Sequence, residues 1–297
     1  LYSFLSMGAA GIKEYFLYDG RPFTYWPNLF FYNLWGTDPF LWHLTNYILR
    51  WVTGLLLWWL MKLLWPAHGR EAGWIAIFFS VFPMFAQQSM GLTFVTHWVC
   101  YVLFMLSCTL MVLAVKKPKQ FFLWMPLAWI ISVPTLFTYE GFIGVEFLRP
   151  VLLWFALPHE IPFWKKARRT FLTWLPFLAL AAFYVVWRIF ILENLRADNS
   201  PVLINSFYHE PGKTFLLFMN YWVRDLVHLV FGVWFRTLSV TRIDFSSWIM
   251  SGSLLLSALI LWLGLRYIKK VPFEAIGDPL PQQDHFHVQV LSLGVLG

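Results

Sequence analysis

The chain has 297 residues, of which 59% are hydrophobic, 21% aromatic and only 12% charged, and its formal net charge is +7. Soluble domains carry about 25% charged residues, and a soluble fold of this length cannot bury so much apolar surface, so the composition excludes a soluble enzyme, a disordered chain and a disulfide-stapled secreted domain. The basic residues gather in short loops, as the positive-inside rule requires, which indicates no nucleic-acid partner and leaves a polytopic helical protein of the lipid bilayer.

Residues 1–38 combine turn dipeptides with many aromatic side chains. Asp19-Gly20 and Arg21-Pro22 are turn pairs, and the surrounding Phe, Tyr and Trp residues are typical of the membrane–water interface. They predict one or two short interfacial helices on the outer face, with Asp19 and Arg21 facing water or a cleft. The alternative is a segment that only anchors the chain at the interface.

Apolar stretches fill the rest of the chain and end at Pro, Gly or basic residues. The first begins at an N-cap candidate, Asp38, followed by Pro39. Several are shorter than the roughly 20 residues of a perpendicular span, which predicts broken or partly lipid-facing helices. The stretches are Pro39–Trp65, Ala72–Ala86, Val95–Val115, Phe121–Phe137, Gly141–Leu157, Phe171–Leu192, Thr214–Phe235 and Ser247–Ile268.

The basic clusters determine the predicted topology. Lys116–Lys119, Lys165–Arg169 and Lys269-Lys270 are all cytoplasmic only if the stretch 214–235 lies in, or dips into, the outer side without crossing. The predicted fold class is therefore an all-α polytopic membrane protein with about seven transmembrane helices. The predicted domains are an outer-face loop with interfacial helices (1–38), a core transmembrane bundle (39–192), an outer-face segment with a lateral or re-entrant helix (193–246), and a final transmembrane helix with a tail (247–297).

Polar side chains near the outer ends of the stretches indicate a cleft open to that face. His43, Asn46 and Arg50 share one helix face because they are three and four residues apart, and packing groups are the alternative interpretation. Further polar residues at the same predicted level are Gln87, Gln88, His97, Tyr139 and Glu140.

The lateral stretch has its own polar stripe. Asn220, Arg224 and His228 recur every four residues, with Asp225 adjacent. A charged pair at this depth is costly unless it is partnered or hydrated, so the stripe indicates either a wetted cleft or a buried Arg224–Asp225 network.

Two other pairs are interpreted as structural. Glu146 and Arg149 are three residues apart and deep in a stretch, so we expect them to pair with each other or with a neighbouring helix. Cys100 and Cys108 are expected to be small core residues, neither bridged nor metal-bound. No residues have metal-ligand spacing.

An outward cleft with arginine, histidine and acidic groups beneath an aromatic belt suits a lipid-linked anionic substrate. Arginines hold a phosphate or pyrophosphate, a carboxylate such as Glu140 deprotonates an acceptor hydroxyl, and aromatic side chains pack an isoprenoid tail. These expectations rest on residue types and on the predicted topology.

Several runs resemble membrane glycosyltransferases of the GT-C superfamily, in particular the protein O-mannosyltransferase-like members that use dolichyl-phosphate mannose. The resemblance covers about residues 17–190. It is carried by Asp19-Gly20-Arg21-Pro22, by the run NLWGTDPFLWHLTN at 33–46, by Tyr139-Glu140 and the following LRPVLL, and by LPFLAL at 175–180.

The resemblance implies a GT-C-like bundle that moves a sugar, with inversion, from a polyprenyl-phosphate donor to an acceptor on the extracytoplasmic face, in a bacterial cytoplasmic membrane. It implies a catalytic acid just after a first transmembrane helix, which we expect to precede Leu1, and it leaves a divalent cation as an open cofactor.

Asp19 and Glu140 are the catalytic candidates. Gln87 or Gln88 stands where the family has an acidic residue, which counts against a metal. The substrate-binding candidates are Arg21, His43, Asn46, Arg50, Gln87, Gln88, His97, Tyr139, Arg224, Asp225 and His228.

Two other functions remain open. In the first alternative, the chain is a non-catalytic GT-C-like scaffold that packs with other membrane subunits. A transporter or flippase ranks last, because the hydropathy shows no inverted repeat.

Overall fold

A computed structural model describes residues 8–18, 23–82, 91–191 and 202–233, with residue 235 and scattered residues between 248 and 266. Throughout these residues the regular structure is helical, and none of them forms a strand. The α-helices of the described chain are Gly8–Tyr18 (α1), Tyr25–Trp35 (α2), Pro39–Leu64 (α3), Gly69–Val81 (α4), Gly91–Lys116 (α5), Phe121–Thr138 (α6), Phe142–Val145 (α7), Leu148–Ala156 (α8), Phe163–Val186 (α9), Val202–His209 (α10) and Pro211–Val227 (α11). Short π-helices, Trp187–Ile191 and His228–Gly232, extend α9 and α11.

Four of the described helices are long and apolar enough to cross a bilayer, so the chain is a membrane protein. Of the most apolar 18-residue segment of α5, 67% is buried inside the protein, against 22% of the corresponding segment of α9. This difference makes α5 the central helix. The four spans are Pro39–Leu64, Gly91–Lys116, Pro118–Thr138 and Phe163–Ile191. The prediction of about seven spans is therefore reproduced only in part, and most of the stretch 247–268 lies outside the described residues.

The start of α3 confirms the predicted cap. Asp38 is the N-cap, and its Oδ1 accepts a hydrogen bond from the Phe40 amide at 2.9 Å. Pro39 occupies the first helical turn, where its missing N–H costs nothing. The chain then turns back after Leu64, and α4 packs against α3 at Gly54. Glycine allows this close approach, because a Cβ added at position 54 would lie 3.5 Å from the Ala76 carbonyl oxygen and would collide with Ser80 Oγ.

The predicted span 141–157 is divided into the short helices α7 and α8. Glu146 and Phe147 form a turn between them, with the Arg149 amide donating to the Glu146 carbonyl at 3.2 Å. Pro150 explains the break, because it has no N–H to donate to the carbonyl four residues earlier and its ring crowds that position.

The basic run 165–169 lies inside α9 and not in the loop that was expected. The helix begins at Phe163, directly after the N-cap Pro162, so the lysines and arginines occupy its first two turns. Long basic side chains tolerate this position because their apolar stems pack along the helix while their charges reach the interface. The loop between α8 and α9 is correspondingly short.

The described residues fall into two compact units, one within residues 8–191 and the other from Val202 onward. The core of the first unit joins α3, α5, α6, α8 and α9 around buried residues such as Phe104, Met111 and Leu153. Cys100 and Cys108 are buried there as free thiols, as predicted. In the second unit, the Thr214 hydroxyl on α11 donates to the Ser206 carbonyl at the end of α10, at 3.0 Å.

Candidate functional site

The candidate site lies at one end of the first unit, called here the Gly91 end, where α5 begins and α6 ends. The opposite end, where α5 ends, is called the Lys116 end. The start of α2 is fixed to the Gly91 end by side-chain hydrogen bonds. Thr24 Oγ1 donates to the Thr138 carbonyl at 2.6 Å, and Trp26 Nε1 donates to Thr138 Oγ1 at 2.6 Å. Asn28 Nδ2 donates to Thr96 Oγ1 at 2.9 Å, which ties α2 to α5 as well.

The turn after α6 places an acid beside an arginine. Glu140 Oε2 lies 3.6 Å from Arg188 Nη2, and these side chains keep 37% and 28% of their surface exposed. An ion pair of this length and exposure is weak, because water and salt compete with it. Part of each charged side chain therefore remains exposed.

Tyr139 directly precedes Glu140 in the chain and packs against His97. The His97 and Tyr139 ring centroids are 4.3 Å apart. Gly141 makes this arrangement feasible, because a Cβ there would lie 2.6 Å from Cε1 of Tyr139 and would push the ring away. His97, Tyr139, Glu140 and Arg188 are called the Glu140 cluster below.

An aromatic wall adjoins the Glu140 cluster. The Phe137 ring contacts Phe23, Tyr184 and Trp187, with centroid distances of 5.4, 5.2 and 5.4 Å. Phe23 also contacts Trp187 at 5.7 Å, so the start of α2 closes the wall from one side. Rings at these distances pack favourably and offer an apolar surface beside the charged pair.

His43 and Asn46 hold α3 against the start of α5. Asn46 is buried, and its Nδ2 donates to the Gly91 carbonyl at 2.6 Å. A Cβ at Gly91 would lie 3.1 Å from His43 Nδ1 and 3.3 Å from Asn46 Nδ2, so only glycine leaves both side chains in place. The structure thus places these two predicted site residues in a helix contact at the Gly91 end.

Arg50 caps a helix. Its Nη2 donates to the Phe82 carbonyl at 3.0 Å, directly after the end of α4, and its guanidinium lies 5.8 Å from the centroid of the Trp98 ring. A cation at a helix C-terminus is favourable, because the last carbonyls carry partial negative charge. This contact explains how the 13-residue α4 ends within the bundle.

Glu146 and Arg149 pair with each other, as predicted. Arg149 Nε and Nη2 donate to the two Glu146 carboxylate oxygens at 2.5 and 3.0 Å, and both side chains are buried. Arg149 Nη1 donates to Ser107 Oγ at 3.0 Å, and the guanidinium lies 5.0 and 4.3 Å from the rings of Phe104 and Phe177. The pair is part of the core and offers no exposed group for binding.

The polar stripe of α11 belongs to the second unit. Arg224 Nε lies 3.7 Å from Asp225 Oδ1, and both side chains are exposed, so within this unit the alternative of a buried network is not found. Arg224 also lies 5.1 Å from the Tyr221 ring. His228 begins the π-helix that follows. Substrate binding by Arg224, Asp225 and His228 stays a prediction.

Four predicted site residues lie outside the described residues: Asp19, Arg21, Gln87 and Gln88. Arg188 was not predicted, although a charge inside an apolar stretch is a recognised sign of function. Within the described chain, no three His, Cys, Asp or Glu side chains are grouped closely enough to hold a metal ion. No protein-family model, curated protein or solved structure matches the chain.

Proposed function

We propose that this chain is a membrane glycosyltransferase that moves a sugar from a polyprenyl-phosphate donor to an acceptor hydroxyl on the extracytoplasmic face. The observation that carries the proposal is the partly exposed Glu140–Arg188 pair, in which a carboxylate and a guanidinium lie 3.6 Å apart. The aromatic wall beside them suits an isoprenoid tail. The resemblance of residues 17–190 to GT-C enzymes supports the same reaction.

The proposed reaction assigns each group one task. The Glu140 carboxylate accepts the proton of the acceptor hydroxyl, whose oxygen attacks the anomeric carbon. The bond from that carbon to the phosphate oxygen breaks on the opposite face, and polyprenyl phosphate leaves with its added negative charge. Arg188 binds that charge through hydrogen bonds to the phosphate, for which a guanidinium is well suited. Asp19 and Arg21 remain predictions for a second acid and a second phosphate ligand.

The test is a transfer assay on the purified chain in vesicles that contain a polyprenyl-phosphate sugar, with mannose as the first sugar and release of polyprenyl phosphate as the readout. Glu140→Gln keeps the shape of the side chain and removes the base, so we expect turnover to fall at least about 100-fold. Glu160→Gln is the matched control, because Glu160 is exposed at the Lys116 end, and it is expected to retain turnover. Equal turnover of Glu140→Gln and wild type would contradict the proposal.

The second candidate is a non-catalytic scaffold subunit. It is favoured by the exposed aromatic face of α3, where Tyr47, Trp51 and Trp58 recur along one side of the helix and suit either lipid or another membrane subunit. A scaffold would copurify with other subunits in a fixed ratio and would show no transfer with any donor. Turnover that depends on Glu140 favours the enzyme over the scaffold.

A further inference from the structure

Residues 23–28, called here the α2 strap, are bonded to the last residue of α6. That residue, Thr138, lies two positions before Glu140 in the chain. Thr24 Oγ1 donates to the Thr138 carbonyl and Trp26 Nε1 donates to Thr138 Oγ1, both at 2.6 Å. The strap therefore holds the backbone and the side chain of the residue at which the chain leaves α6.

The bond from Thr24 fixes the peptide that leads into the turn after α6. The Thr138 carbonyl and the Tyr139 N–H belong to one planar peptide unit, and that N–H donates to the Thr135 carbonyl at 3.2 Å. The Thr138 carbonyl is one of the last four of the helix, which have no donor within it. Because Thr24 supplies a donor, both polar groups of this peptide are bonded, and the extended backbone at Tyr139 begins from a fixed plane.

The turn itself contributes weaker bonds. The amides of Phe142 and Ile143 donate to the carbonyls of Tyr139 and Glu140 at 3.3 and 3.1 Å, longer than the usual value of about 2.9–3.0 Å. The two bonds from the strap are shorter, and they join residues that are 112 and 114 positions apart. The geometry of the turn around Glu140 therefore depends on a distant segment of the chain.

The strap contacts the neighbours of the other cluster residues in the same way. Asn28 Nδ2 donates to Thr96 Oγ1 at 2.9 Å, and Thr96 directly precedes the histidine of the Glu140 cluster. Both side chains are 2% exposed, so water does not compete for this bond. The Phe23 ring contacts the ring of Trp187, which directly precedes the arginine of the cluster. One short segment is thus attached to each of the three elements that carry the cluster.

We propose that Thr24 and Trp26 are positioning residues, which bind Thr138 and thereby hold the Glu140 carboxylate in line with the acceptor hydroxyl. A base must lie within hydrogen-bond reach of the proton that it accepts, and a displacement of about 1 Å is enough to lower a rate about 100-fold. The effect on turnover rests on the proposed transfer reaction, whereas the order of the turn after α6 is measurable without it.

The first experiment compares Trp26→Phe with Trp129→Phe in the vesicle transfer assay. The two tryptophans are 37% and 38% exposed, and each donates one indole bond, from Trp129 to the Pro176 carbonyl at 3.0 Å, so the two variants lose the same kind of contact. Trp26→Phe is expected to lower kcat about tenfold. Its KM for the donor is expected to stay within about twofold, because Arg188 makes no bond to the strap tryptophan. Trp129→Phe is expected to keep the wild-type kcat.

Rescue by a conservative variant separates positioning from a general loss of stability. Thr138→Ser keeps the hydroxyl that accepts the Trp26 indole and is expected to retain kcat within about twofold, whereas Thr138→Val is expected to lower it as Trp26→Phe does. The double variant Trp26→Phe with Thr138→Val is expected to lose no more than either single variant, because both remove one bond. Additive losses would overturn the assignment of the effect to this bond.

The second experiment measures amide hydrogen exchange at Phe142 and Ile143 in the full chain. Trp26→Phe is expected to raise exchange there about fivefold, and Trp129→Phe is expected to leave it unchanged. Unchanged exchange in Trp26→Phe would overturn the positioning role, whether or not the chain transfers a sugar. Wild-type kcat in Trp26→Phe, with Glu140→Gln inactive, would overturn it while the proposed function stands. Absence of transfer by the wild-type chain would instead refute the proposed function, and exchange alone would then decide whether the strap orders the turn.

Discussion

Replacing Glu146 by Gln would leave the Arg149 guanidinium as a buried charge with no carboxylate beside it. In the structure, two guanidinium nitrogens donate to the carboxylate at 2.5 and 3.0 Å, and Ser107 Oγ accepts a third bond at 3.0 Å. A neutral amide keeps the volume but loses the charge, and its NH₂ group faces a donor. The single bond to Ser107 and the contacts with two rings remain, so the damage is confined to the ion pair.

The expected cost follows from those contacts. A hydrogen bond to a charged group contributes about 1.5–3 kcal/mol, so loss of the two bonds to the carboxylate costs about 3–6 kcal/mol. Breaking a buried pair by removal of one partner costs about 3–5 kcal/mol, which agrees. We therefore expect Glu146→Gln to lower the free energy of unfolding by about 3–5 kcal/mol.

The assay is reversible unfolding in mixed micelles, with Glu71→Gln as the control. Glu71 lies 3.8 Å from His68 in a partly exposed pair, and its replacement is expected to cost less than about 0.5 kcal/mol. The double variant Glu146→Gln with Arg149→Met removes the orphaned charge, so its cost should be smaller than the sum of the two single costs. A cost below about 1 kcal/mol for Glu146→Gln, or strict additivity, would refute this reasoning.

Other contacts at the Gly91 end lead to further predictions. Gly91→Ala is expected to lower the free energy of unfolding by about 1–2 kcal/mol, because its Cβ would press on two side chains of α3. Gly73→Ala is the control: its Cβ would meet no atom within 4 Å, and it is expected to raise the free energy of unfolding by up to about 1 kcal/mol. Thermal unfolding in detergent measures both. Thr138→Val removes the acceptor of the Trp26 indole and is expected to raise amide hydrogen exchange in α2, and unchanged protection would count against this attachment. Arg50→Met is expected to raise exchange at the C-terminal turn of α4 selectively, and uniform exchange along α4 would show that the cap is not what ends the helix.

Local signals predicted the parts of the fold that depend on neighbouring residues. Asp38 followed by Pro39 marks the start of α3, and Lys117-Pro118 marks the end of α5, because capping and the missing proline N–H act within a few residues. The pairing of Glu146 with Arg149 follows from their spacing alone. The division of the predicted span 141–157 was also signalled locally, by Pro150, but its hydropathy concealed the break.

The candidate site depends on contacts that local signals do not contain. Thr24 and Thr138 are bonded across 114 residues, and Arg50 reaches the Phe82 carbonyl across 32. The packing of the helices decides which residue caps α4 and which arginine faces Glu140. The sequence cannot decide it, because each polar group has several partners of the right type. For the same reason the sequence does not single out Arg188, whose Nη2 lies 3.6 Å from Glu140 Oε2 in the structure.

Two arginine–carboxylate pairs among the described residues of the first unit, Glu146–Arg149 and Glu140–Arg188, differ in burial and in bond length. In the core pair, Glu146 receives two short bonds from Arg149 in a site closed to water, so release of either charge costs about 3–5 kcal/mol and neither group is available to a substrate. In the second pair, Glu140 and Arg188 are 3.6 Å apart and half-exposed, so separating them costs about 0–1 kcal/mol. A lipid phosphate that offers Arg188 bidentate hydrogen bonds would compensate for that cost and draw the guanidinium away from the Glu140 carboxylate, the proposed proton acceptor. This difference in the cost of separation is the physical reason to look for transfer chemistry at Glu140 and to expect only a loss of stability at Glu146.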